Sequence, residues 1–288
     1  MKRVILLAPA FLVLVVLLVV PLGYLIEISF RENIPGRMVF QPDYSFVNYA
    51  RALTDGFYLS VLGGTVMLST AVTFVCALLG FPLAYFLWRA PAGYKGILTL
   101  LVIAPLLISI VVRAYGWMII LGDRGLVNQM LLWLGVIDDP IQIMFTNSAM
   151  FIGLVHVQFP FMVLSILAAL ERVDPTLVQA AETLGASRLR AIFEIVVSLA
   201  LPGIITGTVL VFTLCMTAFV TPILLGGSSS QVMTTLVYNQ FSTAFNWPMG
   251  SALAIVLSVV SLVLISVFLA GIRRIPVVQR AESVGREP

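Results

Sequence analysis

A single histidine, His156, two cysteines, Cys76 and Cys215, and a glycine–serine run from Gly226 to Ser230 could carry nucleophilic or metal chemistry in this chain. Serine with histidine invites an intramembrane serine protease. A nucleophile must lie within hydrogen-bonding reach of its base, and nothing in the spacing puts the serine run beside His156. The cysteines sit inside apolar runs, with no CxxC and no histidine close in sequence, and read as small buried hydrophobes. No GxxxxGK[ST] loop is present to cradle a nucleotide phosphate. The reading is therefore no catalytic residue, no metal and no cofactor.

Other side chains suit binding better than bond-making. His156 stands one turn before Pro160 within an apolar run; an intramembrane histidine can serve as relay or ligand. With no acidic residue in the same run, a hydrogen-bonded packing role is favoured. Arg113 falls about 24 Å along a continuous helix begun at Ile97. It suits snorkelling to an interface, or a gate or partner contact. Tyr115, Trp117, Phe219 and Tyr238 are candidates to line a path for a cationic solute, since aromatic faces attract ammonium groups. The same residues also suit interfacial belts. Asp123, acidic and beside the end of an apolar run, joins them as a candidate outer gate.

The elements that hold these residues follow from composition. Of the 288 residues 60% are hydrophobic and 10% charged, against about 45–50% and about 25% in a soluble domain. So little charge cannot cover a water-facing surface. No polar stretch exceeds about 30 residues, too few to bury a core unaided. The formal charge of +3 does not indicate nucleic acid, because the basic residues cluster where loops on one side of a membrane belong. The chain reads as an all-α membrane protein, a single domain over 1–288.

Six apolar runs are long enough to cross a hydrocarbon core about 30 Å thick. They extend over Val4–Ile26, Leu59–Trp88, Ile97–Leu121, Asn147–Leu170, Pro202–Leu225 and Met249–Ala270. The first lacks the short h-region and small-residue cleavage site of a signal peptide and is read as a retained helix. Gly125 to Ile137 is too short to span and suits a helix lying at the interface. With the N-terminus inside, eleven lysines and arginines fall on the cytoplasmic side and five, including Arg31, Arg37 and Arg113, on the other. That positive-inside bias puts both termini in the cytoplasm. The outer segments carry Glu32, Asp43, Asp55, Asp123, Asp138 and Asp139.

The most informative segment is the cytoplasmic loop from Glu171 to Ile204. Asp174 suits an N-cap, and Pro175 the first helical position. Ala180 and Ala181 favour helix, Gly185 supplies the positive φ that ends one, and Ser187 can cap the next. Helix, sharp turn, helix makes a small rigid projection shaped to be gripped by another protein.

This segment resembles the EAA loop of ABC importer permeases. Ala180, Ala181 and Gly185 match its core, Ile195 falls at the expected spacing, and Pro202-Gly203-Ile204 matches its end. Gln179 stands where that family usually has glutamate, and Ser198 where it usually has the first proline. The resemblance runs over nearly the whole chain and is nearest to spermidine/putrescine-type permeases. It is carried by Phe81-Pro-Leu-Ala-Tyr85, Val112-Arg-Ala-Tyr-Gly-Trp117, Ala218-Phe-Val-Thr-Pro222 and Asn246-Trp-Pro-Met-Gly250. It implies a type I importer in a bacterial cytoplasmic membrane. The partners would be a second permease, an ATP-binding subunit dimer and an extracytoplasmic solute-binding protein. Gln179, Ala180, Ala181, Gly185, Ala186, Ser187, Arg188, Pro202 and Gly203 become the ATPase-coupling residues of that reading. The cargo it implies is a polyamine, with amino-acid-like or other nitrogenous solutes as the alternative. An ion-coupled secondary transporter is less favoured: the apolar runs carry almost no acids, and the two halves show no internal repeat.

Overall fold

Long uncharged runs with no water to bond their amides can only close those bonds internally, as helix. The computed structural model describes residues 2–34, 40–174, 176–227 and 230–272. Arg37, Pro175, Ser228, Ser229, Arg273, Arg274, Arg280 and Arg286 lie outside them. Helix α1 covers Lys2–Ser29, and a two-stranded antiparallel ribbon of β1 (Arg31–Asn33) and β2 (Phe40–Tyr44) follows. Then come α2 (Val47–Thr54), α3 (Gly56–Arg89), α4 (Ala92–Ile103), α5 (Ile110–Leu121), α6 (Leu126–Trp133) and α7 (Asn147–Leu170). The rest is α8 (Thr176–Thr183), α9 (Arg188–Ala191), α10 (Val197–Met216), α11 (Val220–Leu225), α12 (Met233–Ser242) and α13 (Trp247–Ile272).

Among the described residues four helical stretches are long and apolar enough to span: Gly56–Arg89, Asn147–Leu170, Arg188–Met216 and Trp247–Ile272. A fifth exists if the bent pair Ala92–Leu107 and Ile110–Trp133 is one span. The first run of the sequence falls within α1, whose described apolar part, Val15–Ser29, is shorter than a span.

Two runs differ from the straight helices expected of them. The third breaks after a 3-10 turn at Ala104–Leu107 and resumes at Ile110 with a 92° bend. Pro105 has no N–H to give the carbonyl four residues back, and Ile108 and Ser109 take extended backbone. Arg113 is thus in the first turn of a new helix, its N–H donating to the Ser109 carbonyl at 3.0 Å.

The fifth run starts earlier and ends sooner than Pro202–Leu225. Helix α9 passes through a π-helical turn, Ile192–Val196, into α10, and Pro202 lies inside that helix. At the far end α10 stops at Met216, and α11 is a separate short helix with Pro222 in its first turn, where its missing N–H costs nothing.

The chain divides into two units by contact. In the first, residues 1–64 and 232–260, the ribbon is pinned to α2 by buried Asn48. Its Nδ2 donates to the carbonyls of Ser29 at 3.0 Å and Arg31 at 2.8 Å. Phe30 packs its ring on Phe46 and Tyr49.

The second unit, residues 65–231 and 261–288, holds a core in which α7 meets α10 and the second half of α3. Gly203 and Gly207 let α10 approach closely. A Cβ at Gly203 would lie 2.6 Å from Ala169 Cβ and from the Ser165 carbonyl oxygen, and one at Gly207 would lie 2.6 Å from Met162 Sδ. Small residues four apart allow such close helix packing where no hydrophobic effect drives association.

Candidate functional site

The connection from α7 to α10 is built as helix, turn, helix. Asp174 Oδ1 accepts the Thr176 N–H at 2.9 Å, which opens α8 and holds the Asp174 carboxyl below its usual pKa. At the other end Gly185 has φ of +91°. The Gly185 N–H reaches the Glu182 carbonyl and the Ala186 N–H the Ala181 carbonyl, both at 3.0 Å. Together these are a Schellman cap, which requires a left-handed residue at that position. Ser187 Oγ then accepts the Arg190 N–H at 3.4 Å to start α9, and Arg190 pairs with Glu194 at 2.9 Å.

One side of this hairpin is fixed and the other is bare. Val178, Ala191 and Val196 are buried in the core of the second unit, and Ala181 packs against it. Leu177, Leu184, Leu189 and Phe193 are exposed, Leu184 at 89% and Phe193 at 68%. Leu177 and Leu184 lie outside the stretches apolar enough to span, where such side chains are costly in water and suit a contact surface, while Leu189 and Phe193 begin the stretch Arg188–Met216. Of the residues expected here, Gln179, Ala180, Gly185, Ser187 and Arg188 are exposed and Ala186 is half-buried. Pro202 and Gly203 stand apart from the hairpin, inside α10, where Gly203 is buried against α7.

The aromatic candidates differ in exposure and in what holds them. Trp117 Nε1 donates to His156 Nδ1 at 3.1 Å, with the rings edge to face at 5.5 Å, so α5 is fastened to α7. This is the packing role expected of His156. One turn before Trp117, the Nε and Nη1 of Arg113 are buried without a hydrogen-bond partner among the described residues. Tyr115 and Asp123 are exposed. Phe219 is half-buried at the N-cap of α11, which packs on α5 and α7. Tyr238 is exposed on α12, in the other unit.

A cavity of about 420 Å³ opens between α3, α10 and α13, lined by Val66, Thr70, Phe74, Phe212, Ile265 and Phe268 among others. No charged side chain lines it, and Thr70 spends its hydroxyl on the Val66 carbonyl at 2.8 Å. It lacks the convergent polar groups of a solute site. No cluster of metal-binding side chains occurs among the described residues. Sequence reasoning did not find the ion pair of Lys95, on the first turn of α4, with Glu171, the C-cap of α7, at 2.9 Å.

Comparison with known proteins adds to this geometry. The family described as binding-protein-dependent transport system inner membrane component matches residues 3–274. The spermidine/putrescine transport system permease protein PotB of Escherichia coli is 37% identical over 85% of this chain and 92% of its own length. The inner membrane ABC transporter permease protein YdcU of the same organism is 30% identical, over 83% and 78%. Among solved structures, a chain of a bacterial alginate ABC transporter, crystallised with an alginate pentasaccharide-bound periplasmic protein, matches with a TM-score of 0.77. It is 21% identical, over 95% of this chain and 94% of that one, and shares the fold.

Proposed function

The chain belongs to the family of binding-protein-dependent transport system inner membrane components, and from that premise we propose that it carries a polyamine inward by alternating access. As an ABC importer permease it is a multi-pass inner-membrane subunit and not an enzyme; ATP is hydrolysed by a separate subunit. The α8–α9 hairpin carries the coupling part of the proposal. It is anchored on one side, bare and apolar on the other, and continuous through α9 with a spanning helix. Closure of an ATP-bound partner dimer would be felt at Leu177, Leu184, Leu189 and Phe193 and passed along α10 to the path. A second permease and an extracytoplasmic binding protein complete the assembly.

Six spans with both termini cytoplasmic remain part of this proposal, supported by the arginine and lysine asymmetry. Asp43 and Ser187 are exposed and the native Cys76 and Cys215 are buried, so background labelling is low. A cysteine at Asp43 is expected to react with a membrane-impermeant thiol reagent in intact cells, and one at Ser187 only after the membrane is opened. Labelling of Ser187→Cys in intact cells would reverse the orientation.

The substrate rests on the likeness to PotB over 85% of the chain. A second reading is a nitrogenous solute that also carries a carboxylate, and Arg113 favours it. A guanidinium with two unpaired nitrogens suits an anionic group better than a polycation. The complete complex, reconstituted with its own binding protein, is expected to accumulate labelled putrescine or spermidine with ATP. Accumulation of an ω-amino acid in place of both polyamines would move the assignment to the second reading.

A further inference from the structure

Helix α4 is the half of the broken third run that precedes the 92° bend, so it can tilt without dragging α5. Two things hold it to the second unit. Leu98 and Val102 pack on the core, and Lys95 Nζ lies 2.9 Å from Glu171 Oε1. Glu171 is the C-cap of α7, at the turn into the hairpin and three residues ahead of the Asp174 cap. Glu171 therefore stands at the base of the hairpin.

Resting on the importer reading above, we propose that the Lys95–Glu171 ion pair passes the motion of the coupling hairpin to α4 and so to the break in the third run. The pair makes these residues positioning residues of the transport cycle. Their side chains are 31% and 49% exposed, and ion pairs so placed add little to folding. A weak, solvent-reachable pair suits a joint that must break and re-form within each cycle better than a buried one, whose rupture would be costly. Neighbouring Tyr94 and Arg172 leave the pairing to these two groups, because no other ion pair to either one occurs among the described residues.

The test is a charge swap in the full complex, in proteoliposomes with the binding protein charged with spermidine. Lys95→Glu and Glu171→Lys are each expected to lower the ratio of binding-protein-stimulated to basal ATP hydrolysis about fivefold. By the relation of about 1.4 kcal/mol per tenfold, that is about 1 kcal/mol. The double swap is expected to restore the ratio, and all three variants to co-purify with the ATP-binding subunit. Stimulation of the wild-type complex, measured in the same series, tests the importer reading separately. Wild-type ratios in both single variants, failure of the double swap to restore, or loss of the assembled complex in both singles would each overturn the proposal.

Discussion

Gly185→Val is expected to cut ATP-driven uptake by at least about tenfold while leaving the protein inserted in the membrane at normal amounts. A Cβ at this position meets nothing within 4 Å, so the effect is not a clash. It arises from the backbone. At φ of +91° a β-branched residue is held in a sparsely populated region at a cost of about 1–3 kcal/mol. The chain can escape that strain only by opening the Schellman cap that sets the angle between α8 and α9. The change is confined to the turn between α8 and α9, so the spans themselves are untouched. Gly185→Asn, which tolerates left-handed backbone better, is expected to keep most of the uptake. Solute uptake in membrane vesicles, normalised to permease content, decides the matter: wild-type uptake by the valine variant would remove the hairpin's assigned role.

Gly203→Leu is expected to fail differently, by losing the folded permease itself. The first added carbon would sit 2.6 Å from Ala169 Cβ and the Ser165 oxygen and 3.0 Å from Ile166 Cα. Two of those atoms are backbone and cannot swing aside, so α10 must move off α7, the principal contact of the core. Even Gly203→Ala adds that carbon and is expected to destabilise by about 1–3 kcal/mol, the range for overpacking. Gly116→Ala is the control with the opposite sign. It lies in α5 with open space around it, and there alanine should gain about 0.5–1 kcal/mol over glycine. Thermal unfolding of the detergent-solubilised complex should rank the variants Gly116→Ala, wild type, Gly203→Ala, with Gly203→Leu not recovered intact. A Gly203→Ala protein as stable as the wild type would contradict the packing described.

The spans α3, α7 and α13 were legible in the sequence because each is a long, uncharged run bounded by charge or turn residues. Asn147–Leu170 falls at the expected limits. The hairpin was legible for another reason: Asp174, Gly185 and Ser187 are local chemistry, and each makes the hydrogen bond or backbone turn its type favours. Runs three and five were misjudged through their prolines. Hydropathy passes smoothly over Pro105, where the helix breaks, and Pro202 looked like a helix start although it is accommodated inside one. The spacing of Gly203 and Gly207 carried a packing signal that was there to be read. Lys95 and Glu171 carried none, since only the tertiary meeting of α4 and α7 brings them together. Residue type likewise says that a ring can bind a cation but not which rings share a wall.

The π-helical turn at Ile192–Val196 also bears on how genes for such permeases can change length. From Ala191 to Val211 the buried residues are Ala191, Val196, Ala200, Gly203, Gly207 and Val211, three or four apart except across the π turn, where the interval is five. A π turn holds one residue more than an α turn, so the wide interval still keeps Ala191 and Val196 on one face. Removing a codon within the turn would restore ordinary α-helix with its two flanks in phase. Removing one anywhere else in α10 would swing the hairpin about 100° around the helix axis. The turn is thus the place in this span where insertion or deletion leaves the coupling surface pointing the same way.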